Sequence, residues 1–380
     1  MKLLHCADLH IGKTLGEYPL LEDQRYILDQ ILHLIECEQV ELLLLAGDLY
    51  DRSVPPAAAV AVLDDFIDGA IARGARVAAI AGNHDSAQRL QFGARQTAAG
   101  GLLIQGVPSQ RMARLEMTGR DGTRLAVYLA PYVDLPRLRQ LFPEREVPDM
   151  DSGYAAWFAE NPLEPGAVNL LMAHGFFAPG AMSAGDMRRS EGELAVGESD
   201  LVHTGVLPDF AYVALGHLHA PQQVGERPIY YSGSPLSYST SEAGQQKQVN
   251  LVEVRPDGQV QVRPQLLRPL RSVAVVRGSL AEILTGRLHP GRQDYVYAVV
   301  TDRELVYDSM NRLRGVYPNM LGLRLESRRR QQLEQVACGW EEIDSATQFA
   351  DFYRAVKGEE LDEPSREMIA QLLQKLEREV

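Results

Sequence analysis

Five short motifs hold most of the residues in this chain that suit metal chemistry. They are Asp8-x-His10, Gly47-Asp48-x-x-Asp51, Gly82-Asn83-His84-Asp85, His174-Gly175 and Gly216-His217-x-His219, and they take up five of the nine histidines. The donors are imidazole, carboxylate and amide, with no sulfur. That set suits manganese, iron or zinc rather than a calcium cage. Two ions need about eight ligand positions with one group shared. Asp8, His10, Asp48, Asn83, His174, His217 and His219 supply seven residues, and a bridging Asp48 supplies the remaining contact. Two ions about 4 Å apart polarise a phosphoryl oxygen and neutralise a leaving group. His84 directly follows Asn83, so the two side chains diverge. It is expected to be the catalyst, giving a proton or hydrogen bond to the leaving oxygen. Asp51 is expected to orient His84 from behind. Each motif alone is a weak signal; the ordered set is a strong one. His5, His33, His203 and His289 fall outside it and read as structural.

Nearly all the motifs sit where a strand pattern ends. Strands are expected over 2–7, 41–46, 76–81, 125–130, 168–173 and 211–215, and helices over 22–39 and 57–73. The first helix carries Ile27, Leu28, Ile31, Leu32 and Ile35 on one face. Open α/β sheets build their sites at the carboxyl ends of strands. In extended backbone, residues two apart point the same way, so Asp8 with His10, and His217 with His219, are expected to grip one ion as pairs. Glycines 47, 82 and 216 allow a sharp turn before each ligand. Strands over 229–232, 249–254 and 259–263 read as a meander. A second unit begins near Pro269, with strands over 272–276, 295–301 and 320–326 and helices over 280–284 and 303–316. Helices over 346–356 and 365–379 follow, with matching apolar stripes Phe349/Phe352/Tyr353/Val356 and Ile369/Leu372/Leu373/Leu376. The fold class is α/β: a layered β-sandwich flanked by helices, a small α+β capping domain and a helical tail.

The composition excludes several classes. The chain has 380 residues with 45% apolar and 23% charged side chains, enough for two or three folded domains. No apolar run approaches the roughly 20 residues of a membrane span, and the first apolar run breaks at His5 and Asp8, unlike a signal peptide. Three cysteines without C-x-x-C spacing form no disulfide framework or thiolate zinc site. A cytoplasmic protein is expected. The net charge of -13 is unevenly spread: residues 263–330 hold 13 arginines, no lysine and 6 acids, and residues 331–380 hold 12 acids against 5 basic groups. The basic stretch points to a polyanionic partner and the acidic tail to a basic protein surface.

The motif set resembles the calcineurin-like metallophosphoesterase superfamily. Gly82-Asn83-His84-Asp85-Ser86, Ala130-Pro131-Tyr132, Ala173-His174-Gly175, 214–219 and Tyr231-Ser232-Gly233-Ser234-Pro235 with Ser241-Glu242 narrow the likeness to the nuclease members over about residues 1–330. The resemblance implies a manganese-dependent exonuclease on double-stranded DNA and an endonuclease on single strands and hairpins. It implies a homodimer assembled with a long coiled-coil ABC-type ATPase. It divides the chain into a nuclease domain at 1–265, a DNA-binding capping domain at 266–330 and a partner-binding helical tail at 331–380. Archaeal and eukaryotic relatives have a histidine at the position of Asp51; here the motif reads more like the protein phosphatases, whose second aspartate supports the catalytic histidine. Two other readings remain: a small-molecule or protein phosphoesterase of the same superfamily, and a scaffold without catalysis. The first leaves the arginine-rich module unexplained. The intact donor set argues against the second.

Overall fold

The computed structural model describes residues 1–180, 187–188, 200–302 and 307–326, and five single positions beyond (353, 354, 362, 365 and 368). Two compact units emerge: Met1–Ala274 with Gln293–Tyr295, and a second from Val275–Arg292 and Val296 onward.

The first unit is a sandwich of two six-stranded sheets. One sheet runs in the order Val260–Leu266, Gln248–Val254, Lys2–Cys6, Leu42–Ala46, Arg76–Ile80, Leu102–Gln105. Its last four strands are parallel, with Leu3 opposite Leu42 and Leu42 opposite Arg76. The other runs Gln222–Gln223, Ile229–Tyr231, Tyr212–Gly216, Val168–His174, Arg124–Ala130, Ala113–Thr118, and its four central strands are parallel. Parallel strands covered on both faces read as unbroken apolar runs; Leu42, Leu43, Leu44 and Leu45 are all fully buried. Leu42 and Leu44 face Leu170, Met172 and Tyr212 in the core between the sheets. On the outer face of the second sheet, Trp157 and Tyr154 of the helix Met150–Ala159 pack on Phe177 and Leu215. The helix Leu21–Glu38 buries Ile27, Leu28, Ile31, Leu32 and Ile35, the stripe its spacing predicts. The helix Ala57–Ala72 starts after Pro56, as proline's fixed φ favours.

The expected meander is split between sheets. Ile229–Tyr231 pairs parallel to Tyr212–Gly216 in the second sheet, while Gln248–Val254 and Val260–Leu266 pair antiparallel in the first. Apolar alternation marks strands but not their partners. The intervening chain therefore crosses from one sheet to the other, and this crossing shapes the site.

The second unit holds a three-stranded sheet, Val273–Gly278, Tyr295–Val300 and Met320–Leu325, whose first strand begins just before the unit boundary. Val276, Ile283, Val296, Val300, Leu313 and Met320 form its core. The helix Leu280–Leu284 has a capping box in which Ser279 and Glu282 satisfy each other's backbone N–H. Of the helix expected over 303–316, residues 303–306 lie outside the described residues and Ser309–Arg314 is helical, preceded by Asp308 at φ 63. The two tail helices expected over 346–356 and 365–379 lie outside the described residues. Among the described residues no helix is long and apolar enough to cross a membrane.

Candidate metal centre

The carboxyl ends of the parallel strands of both sheets meet along one edge of the sandwich. Asp8 follows Lys2–Cys6, Asp48 follows Leu42–Ala46, and Asn83 follows Arg76–Ile80; His174 ends its own strand and His217 follows Tyr212–Gly216. The chain turns sharply at each place. Asp8 (φ 54), His10 (φ 42), Asp48 (φ 50) and His217 (φ 116) are four of the six non-glycine residues with positive φ among the described residues. Such backbone costs on the order of 1–3 kcal/mol per residue and concentrates at functional sites. Two glycines permit the close approach. A Cβ on Gly82 would lie 2.1 Å from Asp48 Oδ1, and one on Gly216 would lie 1.9 Å from the Ala46 carbonyl oxygen. Asp85 ties two motif loops together by accepting the N–H groups of Leu49, Tyr50 and Gly82 at 3.0, 2.9 and 2.9 Å.

Two groups of donors share Asp48. Asp8, Asp48 and His174 form one, and His10, Asp48 and His84 the other; within each, one ligand atom per residue lies within 4.8 Å of the rest. His174 Nε2 is 3.5 Å from Asp48 Oδ2 and 3.0 Å from Asn83 Oδ1. His217 Nδ1 is 3.2 Å from the same Asn83 oxygen. On the other side His10 Nε2 is 3.6 Å from Asp48 Oδ2 and 3.2 Å from His219 Nε2. All seven expected ligands thus come together. The donor groups cut across the pairs expected from spacing, with Asp8 beside His174 and His10 beside His84. The extended backbone behind that expectation is absent, because Asp8, His10 and His217 adopt positive φ.

The rings of His174 and His219 point inward because their other nitrogens are held. His174 Nδ1 donates to the Ala46 carbonyl at 2.8 Å. His219 Nδ1 lies 2.9 Å from Glu242 Oε1, the partner arrangement that fixes metal-ligating imidazoles. Glu242 is fully buried and in turn pairs with Lys247 at 2.6 Å. It sits on the chain crossing between the sheets, which also carries Tyr238, whose hydroxyl donates to the Leu9 carbonyl. Gln24 completes the support: its amide donates to the His10 carbonyl at 2.7 Å and accepts the Gly12 N–H at 2.9 Å. Sequence spacing gives no sign of Gln24, Tyr238 or Lys247. Glu242 stands in one of the quoted motifs, but nothing there reveals its role.

Asp51 meets His84 through its main chain. Its carboxylate pairs with Lys13 at 2.7 Å and lies 3.7 Å from His10 Nδ1. His84 Nδ1 instead contacts the Asp51 main-chain carbonyl at 3.2 Å, and the His84 backbone N–H donates to Asp48 Oδ1 at 2.8 Å. Support for His84 from Asp51 runs through the main chain. His84 packs edge-on to His10 with ring centroids 4.8 Å apart.

The electrostatics fit a cation. Burial opposes charge on Asp48, yet His174 and His10 hold its carboxyl well below the usual range. Burial also opposes charge on His174, but Asp48 and Asp8 outweigh it and push the imidazole up to about 9. Asp8 is pushed up to about 7, chiefly by burial. His217 is pushed down to about 3 by burial and then by His174. The buried His10 Nδ1 has no hydrogen-bond partner among the described residues. Converging nitrogen and oxygen donors around a shared, ionised Asp48 suit divalent transition ions.

Replacing Glu242 with Gln removes the carboxylate that aligns His219 and neutralises Lys247. Manganese affinity is expected to fall about 10–100-fold. Calorimetric titration checks this, and an unchanged affinity would show that His219 needs no such partner.

Residues 1–221 match the calcineurin-like phosphoesterase family, and the chain belongs to that family. It is thereby a metal-dependent phosphoesterase. Residues 267–357 match the Type 5 capsule protein repressor C-terminal domain, SbcD_C. The two domains together support an SbcD-type nuclease subunit. Among solved structures, GAP50, the anchor in the inner membrane complex of Plasmodium, is similar with 10% identity and a TM-score of 0.36, over 86% of this chain and 98% of that one.

Proposed function

We propose that the chain is the nuclease subunit of an SbcCD-type DNA repair complex and hydrolyses phosphodiesters at a two-ion site. The observation that carries this reading is Asp48, one buried carboxylate shared by two donor groups, in a chain that joins a phosphoesterase domain to an SbcD-type C-terminal domain. Asp8, His10, Asp48, Asn83, His174, His217 and His219 would hold two divalent ions, manganese being the best match to the donors. Held there, such ions would supply charge neutralisation at the phosphoryl oxygens and activation of a water. The chain's own residues do the rest. Asp48 and Asp8 set the charge of the centre. Glu242 and the Ala46 carbonyl fix the rings of His219 and His174. His84, exposed and held by the Asp51 carbonyl, donates a proton or hydrogen bond to the leaving oxygen.

In this reading residues 1–265 cut, 266–330 bind DNA and 331–380 dock on an SbcC-type coiled-coil ABC ATPase. The subunit works in the cytoplasm as a homodimer within a heterotetramer. It degrades duplex ends exonucleolytically and cuts single strands and hairpins endonucleolytically. Manganese-dependent digestion of linear duplex, hairpin and single-stranded DNA, run beside p-nitrophenyl phosphate esters, tests the reading. Hydrolysis of the esters with all DNA intact would instead indicate a small-molecule or protein phosphoesterase. No hydrolysis at all would indicate a scaffold.

The arginines support the DNA assignment. Arg287, Arg312 and Arg324 are exposed, and guanidinium groups pair bidentately with phosphate. Binding is expected to weaken steeply with salt. Replacing Arg324, Arg328, Arg329 and Arg330 together with Gln should lower the slope of log K against log salt by about 0.9 for each phosphate no longer neutralised. An unchanged slope in a filter-binding series would assign these arginines to compositional bias.

A further inference from the structure

Beside the metal centre lies a hollow that phosphate chemistry does not require. A cavity of about 110 Å³ opens against Asn83 and His217 and is walled by Tyr132, Phe176, Val202 and Asp200. Phe176 and Val202 are 3% and 1% exposed, so the back of the hollow is hydrophobic core. Ions and phosphate oxygens gain nothing from such walls; a flat, weakly polar group attached to a phosphate does. The size is selective. An engineered apolar cavity of about 150 Å³ takes up benzene, so this hollow suits one ring and not a fused pair. Its place is equally selective. Because Asn83 and His217 belong to the metal centre, an occupant sits on the nucleotide next to the phosphate being cut.

Tyr132 is fixed at this spot. Its backbone N–H donates to the Ala81 carbonyl at 2.9 Å, directly before Gly82 and Asn83. Its ring meets the His174 ring edge-on, with centroids 6.3 Å apart. Aromatic faces stack on bases without regard to sequence.

We propose that this hollow takes a single pyrimidine base, unstacked from the strand being cut, at the nucleotide beside the scissile phosphate. The inference rests on the nuclease reading above. Unstacking a base costs a few kcal/mol, least in single strands, so the preference belongs to single-stranded substrates.

The test uses the full chain with manganese and dinucleotides, each with one scissile phosphate. One side is kept abasic, and the other carries thymine, cytosine, adenine or no base, in both orientations. In one orientation pyrimidines should be cut about tenfold faster than the abasic control, with adenine close to that control. In Tyr132→Ala all four rates should lie within about twofold of one another. Should that variant fail to fold in a thermal melt, binding by the wild-type chain decides: thymidine 5′-monophosphate should compete about tenfold better than deoxyribose 5-phosphate. Equal rates for all bases in both orientations, or adenine matching the pyrimidines, would overturn the pocket while leaving the nuclease reading intact. No cleavage of any dinucleotide or longer DNA, with methyl p-nitrophenyl phosphate still hydrolysed, would overturn the nuclease reading itself and the pocket with it.

Discussion

Asp48→Asn is expected to empty both ion positions and to lower phosphodiester hydrolysis by at least about 10³-fold. Asp48 is the one residue common to both donor groups, and its carboxyl is held ionised against burial by His174 and His10. The amide keeps the shape but loses the negative charge and one of two anionic oxygens, so neither ion retains its shared ligand. Losses of this size are ordinary when a group that stabilises transition-state charge is removed. Elemental analysis of the purified variant, with its rate on a simple diester, checks both halves. A variant that keeps two ions at full occupancy would remove Asp48 from the bridging position.

His84→Ala is expected to behave differently. It should keep both ions and lose about 10²–10⁴-fold in rate, the usual share of a general acid. The geometry makes this a sharp test, because His84 lies within the group formed with His10 and Asp48. Its exposure and its tether to the Asp51 carbonyl favour a ring that meets substrate over one that holds an ion. Diesters with better leaving groups should lose less in the variant, since they need less protonation. Loss of an ion from His84→Ala would make the residue a ligand and leave the leaving oxygen without its donor.

The convergence of the candidate ligands was legible in the sequence because each stands where a buried strand ends, beside glycine in most cases. That pattern is local, and strands, turns and donors within a few residues of one another can be read from spacing. The fold class was legible for the same reason: short runs such as 42–45 between turn signals suit a strand covered on both faces. What escaped was set by contacts distant in the chain. Glu242 reaches His219 across 23 residues, and Gln24 reaches the His10 loop across 14. The crossing that brings Glu242 there depends on which sheet each neighbouring strand joins, and alternation does not encode this. Asp51 shows a subtler limit. Its proximity to His84 was foreseeable; that its main chain, and not its side chain, makes the contact was not. The i, i+2 argument for Asp8 and His10 assumed extended backbone where the chain in fact turns left-handed.

One carboxylate would organise two catalytic ions at the edge of the sandwich, and anomalous scattering at the manganese edge from crystals grown with that metal would locate them. Two peaks are expected on either side of Asp48, one toward His10 and His219 and the other toward His174, Asn83 and His217. A single peak, or two peaks that do not both contact Asp48, would contradict it.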